Sequence, residues 1–182
     1  MTPDITAFDD VPMSITVTIT VNGERHELVL DPRRSLADVL RRELRLLGTH
    51  QGCEQGVCGA CTVLVDGDPV RGCLLLAVQA DGARVETVES LGRDGELDEL
   101  QRAFTENHGL QCGFCTPGFL MLATALLRDE PGADRERITE CVSANLCRCT
   151  GYKGIVDSID SAARSAARST PRSAARSASH GR

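Results

Sequence analysis

The sequence predicts an α+β chain in two halves: a small mixed sheet resting on one helix, then a bundle of four short helices. Three observations carry this reading. Between residues 14 and 88, apolar side chains alternate in short runs broken by Asn22-Gly23 and Asp66-Gly67, the period and punctuation of strands joined by hairpins. From Gly92 onward the apolar spacing becomes that of helices. Eight of the nine cysteines fall into two groups, one in each half.

Residues 1–12 read as a disordered lead-in. In the first half, residues 13–91, the run Ser14 to Val21 alternates Ile15, Val17, Ile19 and Val21 with polar residues, which marks a half-buried strand. Asn22-Gly23 turns the chain and His26 to Leu30 returns as its partner. Ser35 is placed to cap a helix with Asp38 in its first turn, and Leu36, Val39, Leu40, Leu44 and Leu47 form one apolar stripe that stops at Gly48. A glycine-rich loop runs from Gly48 to Ala60. Thr62 to Val65 and Pro69 to Cys73 read as a second hairpin, and Arg84 to Val88 as one more strand.

In the second half, residues 92–160, Leu97, Leu100 and Phe104 mark the first helix. Thr116 is a candidate cap for the second, with Pro117 at its first position, and Phe119 to Leu127 is apolar nearly all round. Such a helix is central in a bundle or lies under a partner. Ile138, Cys141, Val142 and Leu146 define the third helix; Tyr152, Ile155, Val156 and Ile159 define the fourth. In an up-down bundle the first and third connections lie at the same end, and these two connections carry the cysteine pairs. Residues 161–182, SAARSAARSTPRSAARSASHGR, lack an apolar stripe and read as a disordered tail, with a basic arm for an acidic partner as the alternative.

Composition narrows the function classes. With no Trp, one Tyr and four Phe among 182 residues, large apolar rings are scarce, and a bound metal centre could supply part of the missing stability. An odd cysteine count fits a complete disulfide framework badly. No secretory leader and no apolar run of about 20 residues is visible, so the expectation is a cytoplasmic chain with reduced thiols and no membrane span. The net charge of −6 becomes −11 once the five arginines of the tail are set aside, which argues against a nucleic-acid partner.

The first cysteine group is Cys53-x4-Cys58-x2-Cys61 followed by Cys73. Three thiols in one loop at x4 and x2 spacing match the plant-type [2Fe–2S] signature, and Gly52, Gly56 and Gly59 let the backbone wrap closely round such a centre. A structural zinc site prefers two separate short knuckles. A Rieske centre needs two His ligands, and although His50 is near, four cysteines are already present. The second group, Cys112-x2-Cys115-x31-Cys147-x-Cys149, is less specific. Its x2 pair suits zinc, its x1 pair does not, and on spacing alone both metals stay open. Cys141 reads as a core thiol; His26, His108 and His180 show no ligand spacing. No phosphate-binding glycine motif and no nucleophile–base pattern is found, so two one-electron carriers without a substrate site imply a relay.

Three stretches together, Cys53-Glu54-Gln55-Gly56-Val57-Cys58-Gly59-Ala60-Cys61-Thr62-Val63, Gln111-Cys112-Gly113-Phe114-Cys115-Thr116-Pro117-Gly118 and Asn145-Leu146-Cys147-Arg148-Cys149-Thr150-Gly151-Tyr152, closely resemble the small iron–sulfur subunit of the molybdenum hydroxylases, the xanthine oxidase family. Within that family the chain is similar to the small subunits of carbon monoxide dehydrogenase and of isoquinoline or quinoline oxidoreductases. The likeness covers roughly residues 14–159. It implies a plant-type ferredoxin-like β-grasp domain and a four-helix bundle, each with one [2Fe–2S] cluster: Cys53, Cys58, Cys61 and Cys73 holding the first, Cys112, Cys115, Cys147 and Cys149 the second. It implies a large subunit carrying molybdopterin cytosine dinucleotide, a medium subunit carrying FAD, and a dimer of such heterotrimers. Electrons would pass from the pterin through the bundle cluster, then the ferredoxin-like cluster, to the flavin. Gln111 and Cys149 match the family's pterin-side contacts. Carbon monoxide, an N-heterocycle, an aldehyde or an aryl thioester are the substrates left open, with a slight lean to carbon monoxide. A free-standing ferredoxin or redox sensor is the alternative from another class.

Overall fold

The computed structural model describes residues 14–92 and 94–169, the last three of these by backbone alone. The lead-in 1–12 and the tail beyond 169 lie outside the described residues. Strands β1 (Ile15–Val21), β2 (Glu24–Leu30), β3 (Thr62–Val65), β4 (Asp68–Arg71) and β5 (Arg84–Glu86) form one sheet in the order β2-β1-β5-β3-β4. Only β1 and β5 run parallel; the other neighbours are antiparallel. Asn22 (φ 51°) with Gly23 (φ 88°), and Asp66 (φ 52°) with Gly67 (φ 101°), make both hairpins with the left-handed pairs that match the twist of the strands.

On β1 the alternation sends Val17, Ile19 and Val21 into the core and leaves Ile15 exposed at the strand's start. They meet Leu36, Val39 and Leu40 of helix α1 (Leu36–Arg42), capped as expected: Ser35 accepts the Asp38 amide (3.1 Å) and donates to the Asp38 carboxylate (2.8 Å). The stripe breaks earlier than the sequence suggests. Arg45 adopts φ 59°, which ends the right-handed course, and Leu47 is 55% exposed. From there the chain enters a pinned turn. The Arg41 guanidinium donates to the carbonyls of Leu47 (2.7 Å) and Thr49 (2.8 Å) and so fixes the entry to the cysteine loop.

Helices α2 (Glu99–Glu106), α3 (Thr116–Asp129), α4 (Arg135–Val142) and α5 (Lys153–Ser169) build the second half. Helix α2 lies against α3 and α5, and α4 against the same two. Asp98 and Gln101 cap α2 reciprocally, and the Asp134 carboxylate accepts the Arg137 amide (2.8 Å) at the start of α4. Phe104, Phe119, Ile138, Val142, Ile155 and Ile159 fill the core, each burial contributing about 1.5–3 kcal/mol. Cys115, rather than Thr116, stands at the entry to α3 and offers no side-chain cap; Thr116 is the first residue inside and Pro117 the second.

One expectation is narrowed and one needs correction. Helix α3, apolar nearly all round, is covered within this chain: Phe119, Leu120, Ala123 and Leu126 face the helical core, while Met121 and Ala125 pack on Leu64 of β3. Strand β3 is therefore buried on both faces, Val63 towards α1 and Leu64 towards α3. Nor does order end at residue 160. Helix α5 runs on to Ser169, Ala162 and Ala163 are buried, and Arg164 pairs with Asp160 (2.7 Å). The cause is side-chain size: small residues let α5 lie close along α2, so burial is reached without a stripe of large apolar groups.

The halves are also joined by charge. The Arg128 guanidinium on α3 donates to both carboxylate oxygens of Glu86 on β5 (2.7 and 2.8 Å), and that hydrogen bonding holds the Glu86 carboxyl below its ordinary range. Both side chains are partly in solvent, so the pair contributes at most about 1 kcal/mol.

Replacing Ala162 by Glu places a charge in the α2–α5 contact, beside Leu100 and Ala103, and is expected to cost about 1–3 kcal/mol in thermal or urea unfolding. An unchanged midpoint would mean that residues 161–169 contribute no packing.

Candidate metal centres

The first group is built by a loop and a hairpin. Between Cys53 and Cys61 the chain coils tightly, with Gly56 at φ 76° and Gly59 at φ 73°, conformations that a Cβ would strain. This coil turns amides inward: those of Gln55 (3.4 Å) and Cys58 (3.3 Å) both donate to the Cys53 sulfur. The Cys58 and Gln55 amides, with the Cys58 thiol, bring the Cys53 thiol down to about 7. Gly52, which keeps an ordinary φ, leaves room of another kind; a Cβ there would stand 3.2 Å from both the Cys58 sulfur and the Phe114 ring.

Cys73 returns along the hairpin through Asp66-Gly67 and meets Cys61, the register held by the Gly72 amide donating to the Cys61 carbonyl (3.1 Å). Burial pushes the Cys61 thiol up to about 11; the Cys73 amide works against this, and the Cys73 and Cys58 thiols add to it.

The second group sits where the two connections between helices meet. The Cys112 and Cys149 sulfurs are 3.6 Å apart, and their contact raises the Cys149 thiol. Cys115 and Cys147 form an inner pair; burial, and then Cys147, pushes Cys115 up to about 12. Burial also opposes ionisation of Cys147, but the Thr150 hydroxyl (3.1 Å) and the amides of Cys149 and Thr150 outweigh it and hold that thiol below its usual value.

The single tyrosine clasps this end. The Cys147 amide donates to the Tyr152 hydroxyl (3.0 Å), which donates in turn to the Asn145 carbonyl (3.0 Å). Gln111, Cys112 and Cys149 are exposed, whereas Cys147 is buried. Cys141 belongs to neither group: it is half-buried at the edge of the helical core, and burial raises its thiol.

The eight thiols thus stand as four contacting pairs, Cys53 with Cys58, Cys61 with Cys73, Cys112 with Cys149 and Cys115 with Cys147. Among the described residues, no three His, Cys, Asp or Glu groups gather round a single-ion position. The donor set fits a binuclear iron–sulfur centre, in which each iron takes two of the four thiolates. A second sign of fit lies in the buried side-chain atoms without a hydrogen-bond partner. Among the described residues these are Thr49 Oγ1, Thr116 Oγ1 and both amide atoms of Asn145, all within four residues of a paired cysteine.

The two groups are neighbours. The Leu146 amide donates to the Cys58 carbonyl (2.9 Å), one residue from Cys147. Arg71 donates to the carbonyls of Gly56 (3.3 Å) and Ala144 (2.6 Å) and to the Thr62 hydroxyl. The His50 ring stacks on Phe114 at 4.9 Å, with Nδ1 2.7 Å from the Phe114 carbonyl oxygen. Sequence reasoning missed Arg71 and the role of His50, since their partners lie up to 73 residues away; nothing local signals them.

This pairing of thiols, on a sheet domain joined to a helical one, defines a protein with two iron–sulfur-binding domains. Comparison with known proteins agrees: the family described as a 2Fe-2S iron-sulfur cluster binding domain matches residues 19–91, and the [2Fe-2S] binding domain family matches residues 87–160. The chain is 56% identical over 154 residues to the caffeine dehydrogenase subunit gamma of Pseudomonas sp. (strain CBB1), covering 82% of this chain and 92% of that subunit. To the nicotine 6-hydroxylase small subunit of Paenarthrobacter nicotinovorans it is 52% identical, covering 80% and 87%. The crystal structure of quinoline 2-oxidoreductase from Pseudomonas putida 86 superposes with a TM-score of 0.82 at 47% identity, over 86% of this chain and 98% of that one. The chain belongs to the small [2Fe–2S] subunits of the molybdenum hydroxylase family, and is an electron-transfer subunit of an oxidoreductase.

Cys141→Ala is expected to leave the iron content and the visible spectrum unchanged, with a stability change of about 1 kcal/mol or less. Bleaching in that variant would show that Cys141 is a ligand.

Proposed function

We propose that Cys53, Cys58, Cys61 and Cys73 hold one [2Fe–2S] cluster, that Cys112, Cys115, Cys147 and Cys149 hold a second in what we read as a four-helix bundle, and that the chain relays electrons from a molybdopterin centre on a large subunit to FAD on a medium subunit. The single observation that carries this is the pairing of the eight thiols into two adjacent groups, linked by the Leu146–Cys58 hydrogen bond. Each cluster, when bound, takes up and gives back one electron.

The protein's own part is to hold these centres close and to expose different ends. Gln111, Cys112 and Cys149 are solvent-facing, which supports placing the pterin contact there, with the dinucleotide in its cytosine form. At the first group, Val57 and Leu74 are 62% and 60% exposed, an apolar margin suited to a partner on the flavin side.

The substrate belongs to the large subunit. Of the open classes we favour an N-heterocycle, because three relatives of the chain are named for caffeine, nicotine and quinoline. The assembly is read as a dimer of heterotrimers in the cytoplasm. In the described residues no helix is long and apolar enough to cross a membrane.

The purified complex is expected to contain four irons per small subunit and to show two EPR signals on reduction. Cys149→Ser should abolish the bundle signal, keep the other, and slow substrate-to-flavin transfer about tenfold or more. Zinc without acid-labile sulfide would overturn the cluster assignment. A stable lone monomer that never co-purifies with larger subunits would favour a free-standing carrier.

A further inference from the structure

Asn145 is 1% exposed, and neither its side-chain oxygen nor its nitrogen has a hydrogen-bond partner. A buried amide left unmade costs about 1–3 kcal/mol. An apolar residue of similar size would avoid that cost, so the position calls for an acceptor or donor the polypeptide does not provide.

Asn145 is held at the seam between the two halves. Its backbone is committed: the Asn145 amide donates to the Val142 carbonyl (3.1 Å), and its own carbonyl accepts from Tyr152 (3.0 Å). The residues on either side are fastened to the first cysteine loop, Ala144 through Arg71 and Leu146 through Cys58. The side chain between them lies over Gly59, the residue after Cys58, where any Cβ would collide with the amide and come within 3.1 Å of the Asn145 Cα. The Gly59 carbonyl is already occupied by the Thr62 hydroxyl (2.7 Å) and amide (3.2 Å). Asn145 therefore belongs to the bundle by sequence and to the Cys58–Cys61 loop by position.

We propose that the Asn145 amide is a hydrogen-bond donor to the sulfurs of the centre held by Cys53, Cys58, Cys61 and Cys73, and so a positioning residue by which the bundle sets that centre's reduction potential. Sulfur is the acceptor this loop gathers, and a hydrogen bond to sulfur stabilises the reduced, more negative state. The potential of the first centre then depends on the bundle being docked, although none of its ligands lies there. The inference rests on the proposed assignment of the clusters to their cysteines.

The test compares the holo complex with Asn145→Leu, which keeps the shape and removes the amide, by EPR-monitored redox titration. The two signals are assigned with Cys149→Ser. A shift of the first-domain midpoint to lower potential, with the bundle midpoint unmoved, is the expected result. No shift, or equal shifts of both, would mean that Asn145 only fills space or meets a water. Should Asn145→Leu fail to load its clusters, pulsed EPR on unaltered protein labelled with ¹⁵N-asparagine decides instead: nitrogen coupling to the first-domain signal supports the proposal and its absence overturns it. Unaltered protein without either signal would instead sink the cluster assignment itself.

Discussion

The joint between the two halves depends on one place of close approach, where the helical half meets the cysteine loop at Gly59. The Asn145 side chain covers one side of that glycine, and Gly118 of α3 lies so near its carbonyl that a methyl on Gly118 would collide with the oxygen. Two glycines facing each other let a helix and a loop touch backbone to backbone. Because the Leu146 amide bonds the Cys58 carbonyl at the same seam, the contact that joins the halves also fixes the spacing of their metal-binding groups. A looser joint would leave two good sites at a variable distance, which suits a relay poorly.

The seam is reinforced by elements that first look unremarkable. Strand β3 presents apolar residues on both faces, Leu64 meeting Met121 and Ala125 of α3. Arg71 spans from the loop at Gly56 to the helical half at Ala144, and His50 stacks on Phe114 between two cysteines of the other group. Each is weak alone. Together with the buried contact of Leu64 they tie the two halves along one seam.

Within each group the thiols are pulled in opposite directions. Inward-facing amides favour charge on Cys53, while burial resists it on Cys61 and Cys115. Crowded thiols in a low dielectric cannot all ionise unless a cation shares the site. The outer pair, Cys112 and Cys149, stays at the surface with Gln111.

The sequence by itself determined the local matters: both hairpin turns, the Ser35 cap, the cysteine spacings and the helical half, because each depends on residues a few positions apart. It also carried the three motifs that place the chain in its family. Tertiary structure alone decided which surfaces those elements hide. Helix α3 is apolar all round because a sheet of the same chain covers it, and α5 continues to Ser169 because alanines fit closely along α2. Composition could not show either, since burial is set by what approaches from far along the chain. Asn145 is the sharpest case: its neighbours in sequence belong to one cysteine group, and its side chain lies over Gly59 in the loop of the other.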